Sequence, residues 1–181
     1  MQLLKEKTME IKTVKVGWLE TNCYIIKSGN ECLIIDPGGE PDKIIKEINN
    51  LKPIGIIITH YHFDHVGALE DIKNKYNIPV YDINNLEEKE YKIGNFDFEV
   101  IYTKGHHNTC ITIYFKNEQK MFVGDFIFKD GIGRTDLEDA DESEMIKSLN
   151  KIKQYPDDIM IYPGHGDITR LGNEKKLFGF L

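Results

Sequence analysis

The 181 residues, 40% hydrophobic and 29% charged, suffice for one well-filled core and read as a single domain, 1–181, of ordinary globular composition. A formal net charge of −7, with lysines scattered among glutamates, excludes a chain that holds nucleic acid by bulk electrostatics, which needs clustered Lys and Arg. No apolar run approaches the roughly 20 residues that cross a bilayer, so no membrane partner is expected.

Met1–Met9 carries only Leu3-Leu4 as an apolar pair, so no signal-peptide core is expected there. Cys23, Cys32 and Cys110 are odd in number and far apart, with no Cys-x-x-Cys pair. A soluble protein of a reducing, cytoplasmic compartment is the expectation.

In chain order, Ile11–Val16 alternates as a half-buried strand does. Cys23–Ile26 and Cys32–Ile35 follow as strands joined by the hairpin signal Ser28-Gly29-Asn30, and Asp36-Pro37-Gly38-Gly39 stops the second of them. Ile44, Ile45 and Ile48 fall at helical spacing behind Pro41-Asp42, which predicts a helix over Asp42–Leu51. Ile54–Ile58 reads as a short buried strand. Val66, Leu69, Ile72 and Tyr76 predict a second helix, ended before Pro79.

Val80-Tyr81 is a short strand, and Asn84–Glu90 a helical turn or surface loop. Strands follow at Phe96–Tyr102, Ile111–Phe115 and Met121–Val123, with Asn117-Glu118-Gln119 turning between the last two. A helix from about Ser143 to Ile152 precedes a last strand, Ile159–Tyr162. Hairpins followed by strand–helix units in each half predict two mixed sheets packed face to face with helices outside. A site at the edge between the sheets draws its groups from both halves.

The segment Thr59-His60-Tyr61-His62-Phe63-Asp64-His65 sets three imidazoles and a carboxylate directly behind a buried strand. Residues two apart project to the same side of an extended chain, so His60 and His62 converge on one point, and Asp64 with His65 reaches a second beside it. Imidazole and carboxylate suit zinc, iron or manganese, and a two-metal site is the first hypothesis. The other histidines, His106, His107 and His165, also follow apolar strands, and none of the six is expected on a helix face. Gly105 and Gly164 permit close backbone approach. Asp125, at the end of the Met121–Val123 strand, either caps a turn or bridges two cations.

In this order, Asp36-Pro37-Gly38, Thr59–His65, Gly105-His106, Gly124-Asp125 and Tyr162-Pro163-Gly164-His165-Gly166 resemble the five motifs of the metallo-β-lactamase superfamily. Gly131–Asp136 and Leu171–Lys175 resemble its short glyoxalase II-like branch, the hydroxyacylglutathione hydrolase-related proteins. The resemblance implies the four-layer αβ/βα sandwich. It implies His60, His62 and His106 on one metal, Asp64, His65 and His165 on the other, and Asp125 bridging. Asp36 is then a carboxylate that orients the ligand loop, or a turn residue beside Pro37. His107 stands where the family has Thr after its Gly-His, and His107 and Cys110 either contact substrate or fill space.

The implied activity is a dinuclear metal-dependent hydrolase of a small-molecule thioester, with two divalent ions, zinc foremost and iron or manganese as alternatives. A metal-bridging hydroxide is the nucleophile, with Asp64 and Asp125 as the catalytic carboxylates and Asp64 or a water handling the proton. A mononuclear-iron persulfide dioxygenase on the same scaffold is the alternative, and an inactive metal-binding scaffold a third reading. No nucleophile elbow or phosphate-cradling loop competes.

Overall fold

The computed structural model describes residues 8–179, and the expectation for Met1–Met9 falls largely outside them. Strands β1 (Met9–Val16), β2 (Thr21–Ser28) and β3 (Glu31–Ile35) form an antiparallel meander. The chain then crosses through α1 (Pro41–Ile48) to β4 (Lys52–Ile57), because β4 lies parallel to β3 and no tight turn can join parallel neighbours. Helix α1 starts with Pro41 in its first turn and ends short of the expected Leu51. Asn49 takes a left-handed φ of 51° and returns its N–H to the Ile45 carbonyl.

Helices α2 (Phe63–Val66) and α3 (Leu69–Tyr76) replace the single helix expected from Val66 to Tyr76. The break has a tertiary cause. Ala68 donates its N–H to the Pro37 carbonyl at 2.9 Å, and a Cβ on Gly67 would lie 2.4 Å from the Gly38 oxygen. The turn that closes β3 therefore claims the backbone a continuous helix would use. One consequence corrects a second expectation: His65 lies within α2, and is thus a helical histidine. Strand β5 (Val80–Tyr81) completes the sheet alongside β4.

The second sheet opens with β6 (Glu90–Ile93), β7 (Phe96–Tyr102), β8 (Ile111–Phe115) and β9 (Lys120–Gly124), each antiparallel to the one before. Strand β6 is not anticipated above, since Glu90 and Lys92 alternate with only partly buried Tyr91 and Ile93. Of the two expectations for Asn84–Glu90, a helical turn or a surface loop, the structure shows the loop, a turn followed by extended chain. A small hairpin, β10 (Ile127–Phe128) with β11 (Gly131–Ile132), leads to α4 (Glu142–Ile152), capped by Asp141, whose side chain accepts the Glu144 N–H. Strand β12 (Met160–Pro163) returns parallel to β9, β13 (Thr169–Arg170) pairs beside it, and α5 (Leu171–Glu174) follows.

The five-stranded sheet runs β1-β2-β3-β4-β5 and the six-stranded one β13-β12-β9-β8-β7-β6. Side chains that alternate along β3 separate its two faces. Ile34 packs with Ile44, Ile48 and Ile72 of α1 and α3, whereas Ile35 packs with Phe98, Ile113 and Phe122 of the opposite sheet. Burial on both faces explains why β3 is a continuous apolar run. Met121, Val123 and Ile161 face α4 through Met145, Leu149 and Ile152. The layers are helix, sheet, sheet, helix. Among the described residues no helix is long and apolar enough to cross a membrane.

Candidate metal centre

Every predicted ligand follows the C-terminal end of a strand, and these ends meet at one edge of the sandwich. Asp36 follows β3, the His60–His65 segment follows β4, His106 follows β7, Asp125 follows β9 and His165 follows β12. Backbone bonds tie these ends together, two of them across the two sheets. Ile111 donates to the Thr59 carbonyl at 2.9 Å, Asn22 to the Gly164 carbonyl at 2.7 Å, and Gly164 to the Gly124 carbonyl at 2.8 Å. The Asn22 amide and the Tyr24 hydroxyl both donate to the Pro163 carbonyl, at 3.0 and 2.5 Å. The loop carrying His165 is thereby hung on β2 of the other half.

Besides the trio of Asp36, His60 and His65, two donor sets result. His60, His62, His106 and Asp125 present one ligand atom each within 4.8 Å of one another, and so do Asp64, His65 and His165. In the first set His62 Nδ1 lies 3.1 Å from His60 Nε2 and 3.0 Å from His106 Nε2. Asp125 Oδ2 lies 3.9 Å from His60 Nε2 and 3.6 Å from His106 Nε2. In the second, Asp64 Oδ2 lies 3.0 Å from His165 Nε2 and 3.5 Å from His65 Nε2. Asp125 faces this set too, with Oδ1 3.2 Å from His65 Nε2 and Oδ2 3.4 Å from His165 Nε2. The carboxylate at the end of β9 is common to both.

The outward nitrogens fix four of the rings. His65 Nδ1 donates to Asp36 Oδ2 at 2.8 Å, His106 Nδ1 to the Arg134 carbonyl at 3.0 Å, and His165 Nδ1 to the Leu19 carbonyl at 3.1 Å. The Thr59 hydroxyl donates to Asp36 Oδ2 at 2.6 Å, which leaves its oxygen to accept from His60 Nδ1 at 3.2 Å. Each of these imidazoles, when neutral, therefore carries its proton outside and turns an Nε2 lone pair inward, the arrangement a metal-binding histidine needs. His62 is the exception and turns Nδ1 inward. Asp36 stays outside the centre. Its two oxygens take the Thr59 N–H at 2.8 Å, the Thr59 hydroxyl and His65.

Burial and charge fit a cation. His60 and His65 are wholly buried, and His65 Nε2 and Asp125 Oδ1 are buried without any hydrogen-bond partner. Leaving such atoms unsatisfied costs about 1–3 kcal/mol each, a cost that a shared divalent ion removes. Burial and the charge of His65 hold the His60 imidazole well below its ordinary range. Burial, His106 and His107 bring His62 down to about 4. Burial would also depress His65 and His165, but the carboxylates prevail. Asp36 and Asp125 raise His65 to about 10, and Asp125 and Asp64 raise His165 to about 9. Burial alone would raise the Asp125 carboxyl, yet His165 and His65 hold it far below the carboxylate range.

His107 does not join either set. Its Nδ1 meets Thr109 Oγ1 at 2.7 Å, its Nε2 lies 3.7 Å from Asp139, and its ring stands edge-on to His62 at 4.7 Å. Cys110 is buried behind it, its thiol pushed up by that burial. Residues not picked out as site components above contribute as well. Thr21 donates its hydroxyl to Asp64 Oδ2 at 2.9 Å, and Leu19 and Arg134 supply carbonyls. Thr21 stands far from Asp64 in the chain and meets it only through the fold, and backbone carbonyls leave no signal in the sequence.

Residues 16–83 and 81–165 match the metallo-β-lactamase superfamily. A Bacillus subtilis protein named "Probable metallo-hydrolase YqgX" is 32% identical, over 96% of this chain and 98% of its own. The hydroxyacylglutathione hydrolase GloC of Haemophilus influenzae is 30% identical over the same shares, 96% and 98%. Among solved structures, the BLEG-1 B3 metallo-β-lactamase superposes with a TM-score of 0.90 at 30% identity, covering 94% of this chain and 99% of that one. TTHA1623 in a di-iron-bound form gives 0.85 at 30% identity, covering 94% and 100%. With its two mixed sheets, outer helices and His/Asp clusters at the sheet edge, the chain belongs to the metallo-β-lactamase superfamily.

Proposed function

We propose that this chain is a dinuclear metal-dependent hydrolase of small-molecule thioesters. The observation that carries the reading is Asp125, whose carboxylate faces both donor sets at once. His60, His62, His106 and Asp125 would hold one cation, and Asp64, His65, His165 and Asp125 the other. Zinc, iron and manganese all suit such ligands, and the di-iron form of TTHA1623 supports iron alongside zinc. Divalent ions held there supply a water of near-neutral pKa and positive charge for a developing carbonyl oxyanion.

The chain's own groups do the rest. Burial would raise the Asp64 carboxyl, but His165, His65 and Thr21 hold it below the ordinary range, so it is ionised at neutral pH and accepts a proton at the mouth of the site. A thiolate leaves without strong acid assistance, since its conjugate thiol has a pKa of about 8.5. That matches a site whose carboxylates are both ionised. The hydrolase GloC supports the thioester, being similar over nearly the whole chain. Exposed Leu19, Tyr61 and Phe63 stand on or beside the loops that carry or anchor His60, His62 and His165, Phe63 at the start of α2, and offer apolar contact to an acyl group.

Protein purified without added metal, analysed for its elements and then assayed on a thioester panel beside lactones and β-lactams, tests the reading. Two ions per chain and preferential thioester cleavage are expected. Oxygen uptake with a thiol persulfide and one iron per chain would overturn it in favour of dioxygenase chemistry. Asp125→Asn should lower turnover by more than the roughly 10–100-fold that loss of an outer hydrogen-bond partner costs. Full metal content and full activity in that variant would remove Asp125 from the bridging role.

A further inference from the structure

Glu174 is a buried carboxylate that the chemistry above does not use. It lies on α5, 1% exposed, and its oxygens accept from two groups. Oε1 takes the Thr169 hydroxyl at 2.5 Å, and Oε2 takes the Asp130 backbone N–H at 2.8 Å. A leucine would fill that volume without the cost of desolvating a carboxylate. What Glu174 adds is a pair of acceptors at a fixed spacing.

Asp130 is the tip of the β10–β11 hairpin, and takes a left-handed φ of 62°. That hairpin has only two residue pairs, Ile127 with Ile132 and Phe128 with Gly131. So short a ladder does not hold itself in water. Its distal strand nevertheless leads straight into the metal centre. Gly133 donates its N–H to Phe126 at 3.1 Å and packs so closely on the Asp125 carbonyl that an added Cβ would lie 1.9 Å away. Arg134 presents the carbonyl that receives His106 Nδ1. Position errors at the tip therefore reach His106 within a few residues.

The base of the connection is firm. Leu171 donates to the Ile159 carbonyl and Gly172 to the Asp157 carbonyl, both at 2.9 Å, and Leu171 is fully buried against β12 and α4. We propose that Glu174 is a positioning residue that latches the β10–β11 hairpin to α5, and so keeps the Arg134 carbonyl on His106 and the His60–His62–His106–Asp125 set in register. The proposal rests on the metal-centre reading, and on no particular substrate.

Cobalt(II) alone is the probe, titrated into metal-stripped protein while the visible absorption of the bound ion and its affinity are read. Glu174→Met keeps the volume and removes both acceptors. It should weaken one of the two cobalt equivalents by about tenfold or more, the scale of losing an outer partner of a ligand, and alter the spectrum of that equivalent. Glu174→Gln should restore both, since an amide can accept from Asp130 and donate to Thr169. Lys175→Met provides the control. Lys175 anchors the same tail through the Tyr155 carbonyl and Asp157, so its loss should lower the thermal midpoint and leave the cobalt titration unchanged.

Wild-type cobalt affinity and spectrum in Glu174→Met would overturn the latch whatever happened to the melting temperature. So would an equal change in Lys175→Met, which would make the effect one of general stability. Should Glu174→Met not fold, Glu174→Asp keeps the buried charge, shortens its reach and is judged by the same two readouts. Wild-type protein that bound no cobalt would overturn the metal centre and the latch together, whereas tight cobalt binding without thioester cleavage would overturn only the function proposed above.

Discussion

The outward-facing nitrogens explain why the imidazoles of the centre are more than a cluster of suitable side chains. Asp36 has the largest share in this, because one carboxylate holds Thr59 by two groups and His65 by a third, and Thr59 in turn holds His60. It does so from a left-handed backbone, φ 51°, outside the region most residues prefer. Asp36→Asn keeps the shape and tolerates that conformation, but cannot accept from all three donors. It should weaken metal binding by about 10–100-fold in competition with a chelator of known affinity; unchanged affinity would mean that the ligand loop is held without Asp36. A pH effect follows from the same residues. In metal-free protein His65 at about 10 and His165 at about 9 are both protonated at neutral pH, and a cation needs both neutral. Metal uptake must therefore release protons, and apparent affinity should fall as pH drops below 9 and rise towards a plateau above 10. Calorimetry at neutral pH in two buffers of different ionisation enthalpy measures the release directly, and identical heats in both would refute it.

Strand ends and tight turns decide how these residues meet, and Gly164 is among the most demanding of them. An alanine Cβ there would lie 2.2 Å from Asp125 Oδ1 and 2.6 Å from His65 Cε1, inside contact distance of two ligands. Gly164→Ala should fold, since the added Cβ meets the site rather than the apolar core, yet on the two-ion reading proposed above bind about one ion fewer than the wild type; circular dichroism with elemental analysis checks both halves of that statement. The elements themselves differ in how far the amino-acid order announces them. His60, His62, Asp64 and His65 crowd behind one apolar strand, so their convergence is legible locally. His106, Asp125 and His165 stand alone in the chain, and only their places after strands and the motif resemblance mark them. The break between α2 and α3 is invisible to helical periodicity because its cause, the Pro37 and Gly38 carbonyls, lies some thirty residues upstream. Strand β6 is missed for a related reason: its pairing with β7, rather than its own weak alternation, makes it a strand. The carbonyls of Leu19 and Arg134 are the least legible of all, because any residue type supplies one.

At the scale of the molecule the centre joins two halves. His60, His62, Asp64 and His65 come from the sheet built of β1 to β5, and His106, Asp125 and His165 from the sheet built of β6 to β9, β12 and β13. On the reading proposed above, cations held between them would oppose separation of the sheets, and without them the buried His65 Nε2 and Asp125 Oδ1 are left to each other and to Asp64 and His165. Metal removal should therefore destabilise the whole fold and leave its secondary structure in place under native conditions. Because an unfolded chain does not assemble this donor set, stability should rise with free metal as RT ln(1 + [M]/Kd) for each ion bound. Above saturation the slope counts the ions. One bound ion gives about 1.4 kcal/mol per tenfold increase in free metal, and two give about 2.8. Denaturant unfolding in a series of metal buffers, with folded and unfolded baselines checked at each concentration, yields that slope without any substrate. A value near the larger figure supports the paired site, and a value near the smaller one leaves Asp125 serving a single cation, with one donor set holding a proton where the other holds its ion.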